Sequence, residues 1–214
     1  MPALERFESA LTPAERELVT GLSNPAAIQA FLDDIAYSDE PIYRCPLRVL
    51  RDRKGHCFDG AIFAAAMLRR LGYPPLIVDM IPNERDDDHL LAVYKRAGHW
   101  GAVAKSNFSG LRYREPIFRS LRELVLSYFE DFFNVAREKT LRAYTRPLNL
   151  QGFDRLDWMM RDEPLERIAG RLGEIRQVRL LTPEMVAGLS AADERSYRAG
   201  LLGSNPHGLW RPAR

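Results

Sequence analysis

Apolar positions along the chain change their spacing near residue 75, from a helical period before it to an alternating one after it. Behind the Thr12–Glu15 capping box and again after Asn24-Pro25, apolar residues recur three and four apart, which predicts two N-terminal helices. Residues 38–55 hold two prolines and a cluster of charges, which predicts a loop. The N-terminal part is therefore expected to be helical up to this loop.

The next segment predicts one helix with a signal at each end. Asp59 falls in its first turn, where the helix dipole favours a carboxylate. Arg69 and Arg70 fall in its last turn, and Gly72 suits the position just beyond the end. Every residue of 61–68 is apolar, so no face is left for water. We expect this helix to run through the middle of the domain.

Strand-like runs follow the helix. Residues 76–81 are apolar and β-branched, and residues 89–95 and 99–104 flank a turn at 96–98, which predicts a hairpin. Both faces of the first hairpin strand are largely apolar, so the sheet should be covered on at least one side. The fold class is α+β, with the central helix packed on a small antiparallel sheet.

The remaining residues predict a helical extension. From Pro116, apolar positions at helical spacing predict a helix that reaches Phe132 and Phe133, with its aromatics in the core. Residues 175–181 predict a strand, and Thr182-Pro183 and Ser190-Ala191-Ala192-Asp193 resemble helix starts. The tail from residue 203 to 214 is expected to be irregular. The resulting division is a helical segment 1–47, a core 48–107, and an extension 108–214 on the same domain.

Composition narrows the function classes. The chain has 214 residues, which suits one domain, and its 31 basic and 29 acidic residues give no electrostatic argument for nucleic acid or a membrane surface. No apolar run approaches the roughly 20 residues of a membrane span, and the N-terminus lacks the pattern of a signal peptide. Two cysteines favour a reducing cytoplasm, although a Cys45–Cys57 bridge stays open.

Cys57 is the residue with the best position for chemistry. It lies at the first turn of the central helix, where unpaired backbone N–H groups stabilise a thiolate, and Arg53, Lys54 and His56 add positive charge nearby. His56 is too close in sequence to serve as its base. His89 opens a strand that should pack on the helix, so it is the first candidate base, and His99 on the partner strand is the second.

These residues together resemble the transglutaminase-like superfamily. The resemblance is carried by Gly55-His56-Cys57-Phe58-Asp59-Gly60-Ala61, the helix end Leu71-Gly72-Tyr73-Pro74, His89 at a strand start and Trp100 in the next strand. It covers about residues 48–107. The family core has a cysteine at a helix start, a histidine at the start of one strand and an aspartate or asparagine on the next.

The resemblance implies that Cys57 is the nucleophile and His89 the base. The acidic residue that the family places shortly after the tryptophan is missing, because Ala104 stands there. Asn107 is the candidate for orienting the imidazole, and Asp79 is the alternative. The implied reaction is hydrolysis or acyl transfer at an amide or thioester carbonyl through an acyl-enzyme, without metal or organic cofactor. The implied substrate is a peptide, a protein or a small amide.

Three other interpretations stay open. The domain could bind a peptide or partner protein without catalysing anything, an interpretation that Ala104 favours. Cys57 could be a small buried hydrophobe in an otherwise unknown α+β fold. A zinc site from Cys45, Cys57, His89 and His99 lacks the close paired spacing of structural zinc ligands.

The run 86–88 lacks the glycine and alternating ligands of a calcium loop and predicts a solvated turn, whose charge would raise the pKa of His89.

Overall fold

The computed structural model describes residues 1–211, so the last three positions of the tail prediction lie outside the described residues. The helices are α1 (Ala3–Ser9), α2 (Pro13–Gly21), α3 (Pro25–Asp34), α4 (Pro46–Asp52), α5 (Cys57–Arg70), α6 (Leu121–Leu126), α7 (Glu163–Glu174), α8 (Pro183–Ala187) and α9 (Glu194–Gly200). The strands are β1 (Ala36–Tyr37), β2 (Lys54–Gly55), β3 (Leu76–Pro82), β4 (His89–Arg96), β5 (His99–Val103), β6 (Arg114–Phe118), β7 (Leu141–Thr145), β8 (Leu148–Asn149) and β9 (Gln177–Arg179).

Among residues 1–211, the main sheet is antiparallel and has seven strands, in the order β6-β5-β4-β3-β7-β9, with β8 paired to β3. The predicted α+β class is confirmed, and the sheet is larger than the residues 76–104 alone indicated. Its extra strands come from the extension: β9 falls within the strand predicted at 175–181, whereas β6, β7 and β8 were not predicted. The two-residue strands β1 and β2 pair in parallel beside the start of α5.

Helix α5 is the centre of the larger core. Residues 61–68 are fully buried, as their uninterrupted apolar sequence predicted. The helix packs on one face of the sheet, against the side chains of Ile77, Leu90, Ala92 and Tyr94, with α1 to α4 and α7 around it. The opposite face of the sheet is covered by a second cluster from α6 and the aromatic segment after it. Both faces of β4 are therefore covered, which explains why its first six residues are all buried.

Two element predictions were wrong. The predicted loop at 38–55 contains α4, for which Cys45 is the N-cap residue and Pro46 the first helical position. The predicted helix at Pro116 begins as strand β6, and a shorter helix α6 follows it. Strand β6 lies at the edge of the sheet, where a proline without an N–H removes no ladder hydrogen bond. Of the four aromatics of this segment that were predicted in the core, Tyr128, Phe132 and Phe133 are buried and Phe129 is partly buried against the same cluster.

Candidate functional site

The start of α5 is fixed by a capping box that places Cys57 at the first helical position. His56 is the N-cap residue: its Nδ1 accepts from the Phe58 N–H at 3.2 Å, and its own N–H donates to Asp59 Oδ2 at 3.2 Å. The His56 Nε2 lies 3.2 Å from the Ile42 carbonyl oxygen. Both ring nitrogens of His56 are therefore engaged, and this histidine supports the helix start rather than the thiol.

Asp59 ties the same turn to the segment before α4. Its carboxylate is fully buried, and Oδ1 accepts from the Arg44 N–H at 2.8 Å. The Arg44 guanidinium lies 3.7 Å from Oδ2. Burial raises the pKa of Asp59 to about 7, against the effect of the hydrogen bonds that it accepts. Asp59 thus has a structural task at the helix start beyond complementing the helix dipole.

Gly60 allows the loop after β5 to lie directly on the helix. A Cβ atom at this position would come within 2.2 Å of the Lys105 Cβ. The Lys105 ammonium donates to the Leu32 and Ile35 carbonyls at 2.7 and 2.6 Å, at the end of α3. This contact fixes the loop of residues 104–113, which supplies the partner of the candidate base.

His89 is buried at the start of β4 and bonded to that loop. Its Nε2 lies 2.7 Å from the Leu111 carbonyl oxygen. Burial lowers the pKa of His89 to about 4, so the ring is neutral near pH 7. A carbonyl oxygen accepts hydrogen bonds, so Nε2 must carry the proton, and Nδ1 keeps its lone pair. The Leu111 carbonyl therefore selects the tautomer that leaves Nδ1 able to accept a proton.

Cys57 and His89 line the same small cavity, of about 50 Å³, together with Tyr37, Asp88 and Leu111. The Cys57 Sγ contacts the Asp88 carbonyl oxygen at 3.9 Å. Cys57 also lines a larger cavity of about 600 Å³, which we call the main cavity. Its walls include the segment 37–43, the acidic residues Asp79, Asp87 and Asp88, and the C-terminal segment 207–210. Cys57 thus borders both the small cavity that it shares with His89 and a space of ligand size.

The charges at the site differ from those the sequence indicated. The pKa of Cys57 is raised well above its ordinary value, first by burial and then by the nearby Asp88, Asp87 and Asp59. The expected positive charges are used elsewhere: Arg53 pairs with Asp34, and Lys54 pairs with Asp39 and Glu40. The predicted thiolate is therefore wrong for the resting protein, which holds a neutral thiol and a neutral imidazole. The predicted rise in the pKa of His89 is wrong too, because burial dominates.

Asn107 lines the small cavity with Cys57 and His89, but within residues 1–211 no hydrogen bond joins its amide to the imidazole. Its Oδ1 accepts from the Asn205 N–H at 2.7 Å, and its Nδ2 donates to the Asn205 carbonyl at 2.8 Å. Asn107 thus anchors the C-terminal segment at the cavity. The alternative, Asp79, lines the main cavity, and its N–H donates to Thr145 Oγ1. At Ala104, both backbone groups are bonded to the side chain of Gln29 instead of leading to an acidic residue.

The other candidates lie away from the thiol. His99 pairs with Arg96 at the turn of the hairpin, seven residues along β4 from His89, which is roughly 23 Å at the usual rise of a strand. Cys45 and Cys57 are both free thiols, and burial raises the pKa of Cys45 to about 12.

Within residues 1–211, no three His, Cys, Asp or Glu side chains are arranged to hold a metal ion. In the same range, no helix is long and apolar enough to cross a membrane.

Two groups at the site were missed by sequence reasoning. The Leu111 carbonyl is a backbone group and has no signature in the sequence. Tyr37 lines both cavities with Cys57, and its pKa is raised by burial and by the nearby Cys57. Tyr37 and the candidate nucleophile therefore border the same space. Tyr37 falls where the sequence predicts the end of a helix and a loop, and nothing in that pattern indicates that it lies at the site.

Comparison with known proteins gives a weak likeness of fold. No protein-family model matches the chain, and no curated protein matches it. A solved structure of Legionella pneumophila LapG matches at 13% identity with a TM-score of 0.40, covering 78% of this chain and 95% of that one. The calcium-bound form of LapG matches at 14% identity with a TM-score of 0.37, covering 50% of this chain and 72% of that one. The EGTA-treated form of LapG matches at 14% identity with a TM-score of 0.35, covering 49% of this chain and 68% of that one. These values assign neither an activity nor a site residue.

Proposed function

We propose that this protein is a cysteine enzyme that acts on an amide or thioester carbonyl through an acyl-enzyme on Cys57. The observation that supports it is the arrangement of Cys57 and His89 around one cavity, with the imidazole held by the Leu111 carbonyl in the tautomer that can accept a proton. A nucleophile needs an adjacent base and a third group that orients the base. In this proposal the third group is the Leu111 carbonyl, and Asn107 holds the C-terminal segment.

The reaction starts from the neutral pair. As the sulfur attacks the carbonyl carbon, the thiol proton passes to His89 Nδ1, and the carbonyl oxygen becomes an oxyanion. The Cys57 backbone N–H and the Tyr37 hydroxyl are the donors that would stabilise it. When the intermediate collapses, the leaving amine or thiol takes the proton from His89. Water or an amine then attacks the thioester, with His89 again accepting and returning the proton, and Cys57 is released.

Burst kinetics with para-nitrophenyl acetate test this function. We expect one equivalent of nitrophenolate per protein in a fast phase, lost in Cys57→Ala and retained in Cys45→Ala, because the second cysteine is buried with a raised pKa. The acetyl group should be found on Cys57 by peptide mass spectrometry. Release of nitrophenolate at the same rate from Cys57→Ala and the wild type would exclude the enzyme.

The raised pKa of Cys57 specifically favours a second candidate, a domain that binds a peptide or partner protein without catalysis. A thiol kept neutral by burial and by carboxylates is a poor nucleophile unless a base takes its proton in the reaction. For this second candidate, the acetylation rate of Cys57 would not exceed that of a free thiol such as N-acetylcysteine at the same pH. The same burst experiment therefore separates the two functions.

A further inference from the structure

The carboxyl groups of the main cavity fall into two sets. Asp39 and Glu40 already pair with Lys54 at 3.8 and 2.7 Å. Asp79, Asp87, Asp88 and Glu166 line the same cavity and form no ion pair with any lysine, arginine or histidine among residues 1–211. The cavity therefore has an acidic side whose charge is not balanced within the described part of the chain.

Asp79 is the most deeply placed member of the second set. Its side chain is 7% exposed, and its Oδ1 has no hydrogen-bond partner within the described residues. It lies on β3 opposite Leu90, on the sheet face that α5 covers, and it lines the main cavity. A buried oxygen without a partner is unfavourable and needs an explanation, of which a ligand is one.

Asp88 lines the same cavity as Asp79, and each carboxyl group affects the pKa of the other. Burial, followed by the charges of Asp88 and Asp87, raises the pKa of Asp79 to about 8. Loss of hydration and the charge of Asp87 raise the pKa of Asp88 to about 6. Near neutral pH the pair therefore holds a proton. Carboxyl groups that line one cavity attract a positively charged ligand, and such a cation can take the place of that proton.

We propose that Asp79 and Asp88 bind a positively charged organic group of the substrate, a primary ammonium or a guanidinium, in the main cavity beside Cys57. The space of about 600 Å³ and the side chains of Ile42, Tyr43 and Leu90 in its walls suit an alkyl stem that carries such a head group. The inference rests on the proposed function in one respect, that the charged molecule also presents the carbonyl attacked by Cys57. Binding itself needs only the two carboxyl groups.

The proposed site has a consequence for the nucleophile. After burial, the causes that raise the pKa of Cys57 are the charges of Asp88 and Asp87. A cation bound at Asp79 and Asp88 offsets these charges, so loss of the thiol proton becomes easier when a charged substrate is present. The acidic side of the cavity would then make the reaction depend on the substrate's own charge.

Calorimetric titration of the full-length Cys57→Ser protein tests the binding without any contribution from catalysis. The probes are pentylammonium and butylguanidinium ions, with pentanol as the neutral control and Ca²⁺ as the inorganic one. We expect the two organic cations to bind more tightly than pentanol, and proton release to accompany their binding at pH 7. Asp79→Asn should weaken the binding of both cations about tenfold or more, because it removes a desolvated charge partner.

A matched control is Asp39→Asn, which removes an exposed carboxylate of the same cavity that is already paired with Lys54. We expect this variant to change the affinity less than about threefold, as is usual for an exposed ion pair. If Asp79→Asn does not fold, as judged by thermal unfolding, Asp88→Asn tests the same pair from its solvent-accessible member. Equal affinity for pentanol and the cations, equal losses in the Asp39 and Asp79 variants, or binding of Ca²⁺ without the organic cations would overturn the proposal.

The charged group could belong to the acyl donor or to the accepting amine. With wild-type protein, the para-nitrophenyl ester of aminohexanoic acid is compared with that of hexanoic acid, and pentylamine is compared with pentanol as an acceptor for the neutral ester. Preference for the charged ester assigns the cation to the donor, and faster turnover with pentylamine assigns it to the acceptor. Absence of both preferences overturns the inference. If the cations bind to Cys57→Ser but the wild type forms no acyl-enzyme, the inference stands and the proposed function fails.

Discussion

At the scale of single residues, the site depends on how the protonation of two side chains, His89 and Cys57, is set. His89 is kept neutral by burial, and Leu111 decides which nitrogen carries its proton. Cys57 is kept as a thiol by burial and by nearby carboxylates, despite its place at a helix start. The dipole of a helix is a small effect, about 0.3–1 kcal/mol at an exposed site, and desolvation of an anion exceeds it here.

The first prediction concerns the resting thiol. In Cys45→Ala, which leaves Cys57 as the one cysteine of the 214-residue chain, iodoacetamide should alkylate Cys57 more slowly than N-acetylcysteine at pH 7. The rate should keep rising above pH 9, because the pKa of Cys57 is raised well above 9.0. Labelling followed by intact mass spectrometry gives the pH profile. Faster labelling than the free thiol at pH 6 would show a resting thiolate and contradict the electrostatics described above.

The second prediction concerns the Tyr37 hydroxyl. Tyr37→Phe should lower kcat for para-nitrophenyl acetate by about 10–100-fold with little change in KM, because the hydroxyl would act on the oxyanion rather than on the bound ester. Tyr43→Phe is the control, since Tyr43 lines the main cavity but not the small one. We expect less than about threefold change in kcat for the control. Similar losses in both variants would remove Tyr37 from the reaction.

At the scale of elements, α5 and the loop of residues 104–113 position the two reacting groups. The capping box of His56 and Asp59 fixes where α5 begins, and so fixes Cys57. The loop approaches α5 at Gly60 and carries the carbonyl that holds His89. The absent side chain of Gly60 is therefore a condition for the site as well as for packing.

The third prediction tests this close approach. Gly60→Ala puts a methyl group where a Cβ would lie 2.2 Å from the Lys105 Cβ, so the free energy of unfolding should fall by about 1–3 kcal/mol or more. Gly170→Ala, at a helical position on α7 with open space around it, should raise the same quantity by about 0.5–1 kcal/mol. Urea unfolding measures both. A stabilised Gly60→Ala protein would show that the loop does not rest on the helix.

Sequence reasoning found the elements whose signals are local. The capping residues and unbroken apolar run predicted α5, and the turn at 96–98 predicted the hairpin of β4 and β5. It failed at Pro116, because an edge strand tolerates proline and the edge is defined only by the assembled sheet. It also failed at Pro46, because proline suits the first position of a helix as well as a loop.

The sequence predicts those parts of the site that are side chains in a recognisable order along the chain. Cys57 and His89 do share a cavity, but that sharing assigns no catalytic role by itself. The partner of His89 is a backbone carbonyl, which any residue at 111 could supply. The sequence therefore offers only side chains, Asn107 and Asp79, as candidates for orienting the imidazole. The protonation states depend on burial and on the approach of Asp87 and Asp88, which only the three-dimensional arrangement defines.

At the scale of the whole molecule, the buried carboxyl of Asp79 makes stability depend on pH. Its pKa is raised from 3.8 to about 8 by burial and by Asp88 and Asp87, so the folded protein binds this proton more tightly than the unfolded chain. The contribution of Asp79 to stability is therefore complete below about pH 4 and is lost as the pH rises to about 8.

The fourth prediction follows from that sign. Asp79→Asn removes the titration, so its free energy of unfolding relative to wild type should increase between pH 5 and pH 8.5, by about 1–3 kcal/mol. Asp39→Asn, at the exposed rim, should stay within about 0.5 kcal/mol of wild type at both pH values. Urea unfolding at the two pH values gives the comparison. A difference between Asp79→Asn and wild type that stays constant with pH would mean that the carboxyl is not buried as described.

The most direct test of the central claim is the rate at which para-nitrophenyl acetate acetylates Cys57 in the wild type and in His89→Gln. Glutamine can still donate to the Leu111 carbonyl but cannot accept the thiol proton as imidazole does. Peptide mass spectrometry resolves Cys57 from Cys45, which serves as the internal control in each sample. We expect acetylation of Cys57 in the wild type and a rate at least about 100-fold lower in His89→Gln, as for the loss of a general base. Equal rates in the two proteins would contradict the pairing of Cys57 with His89.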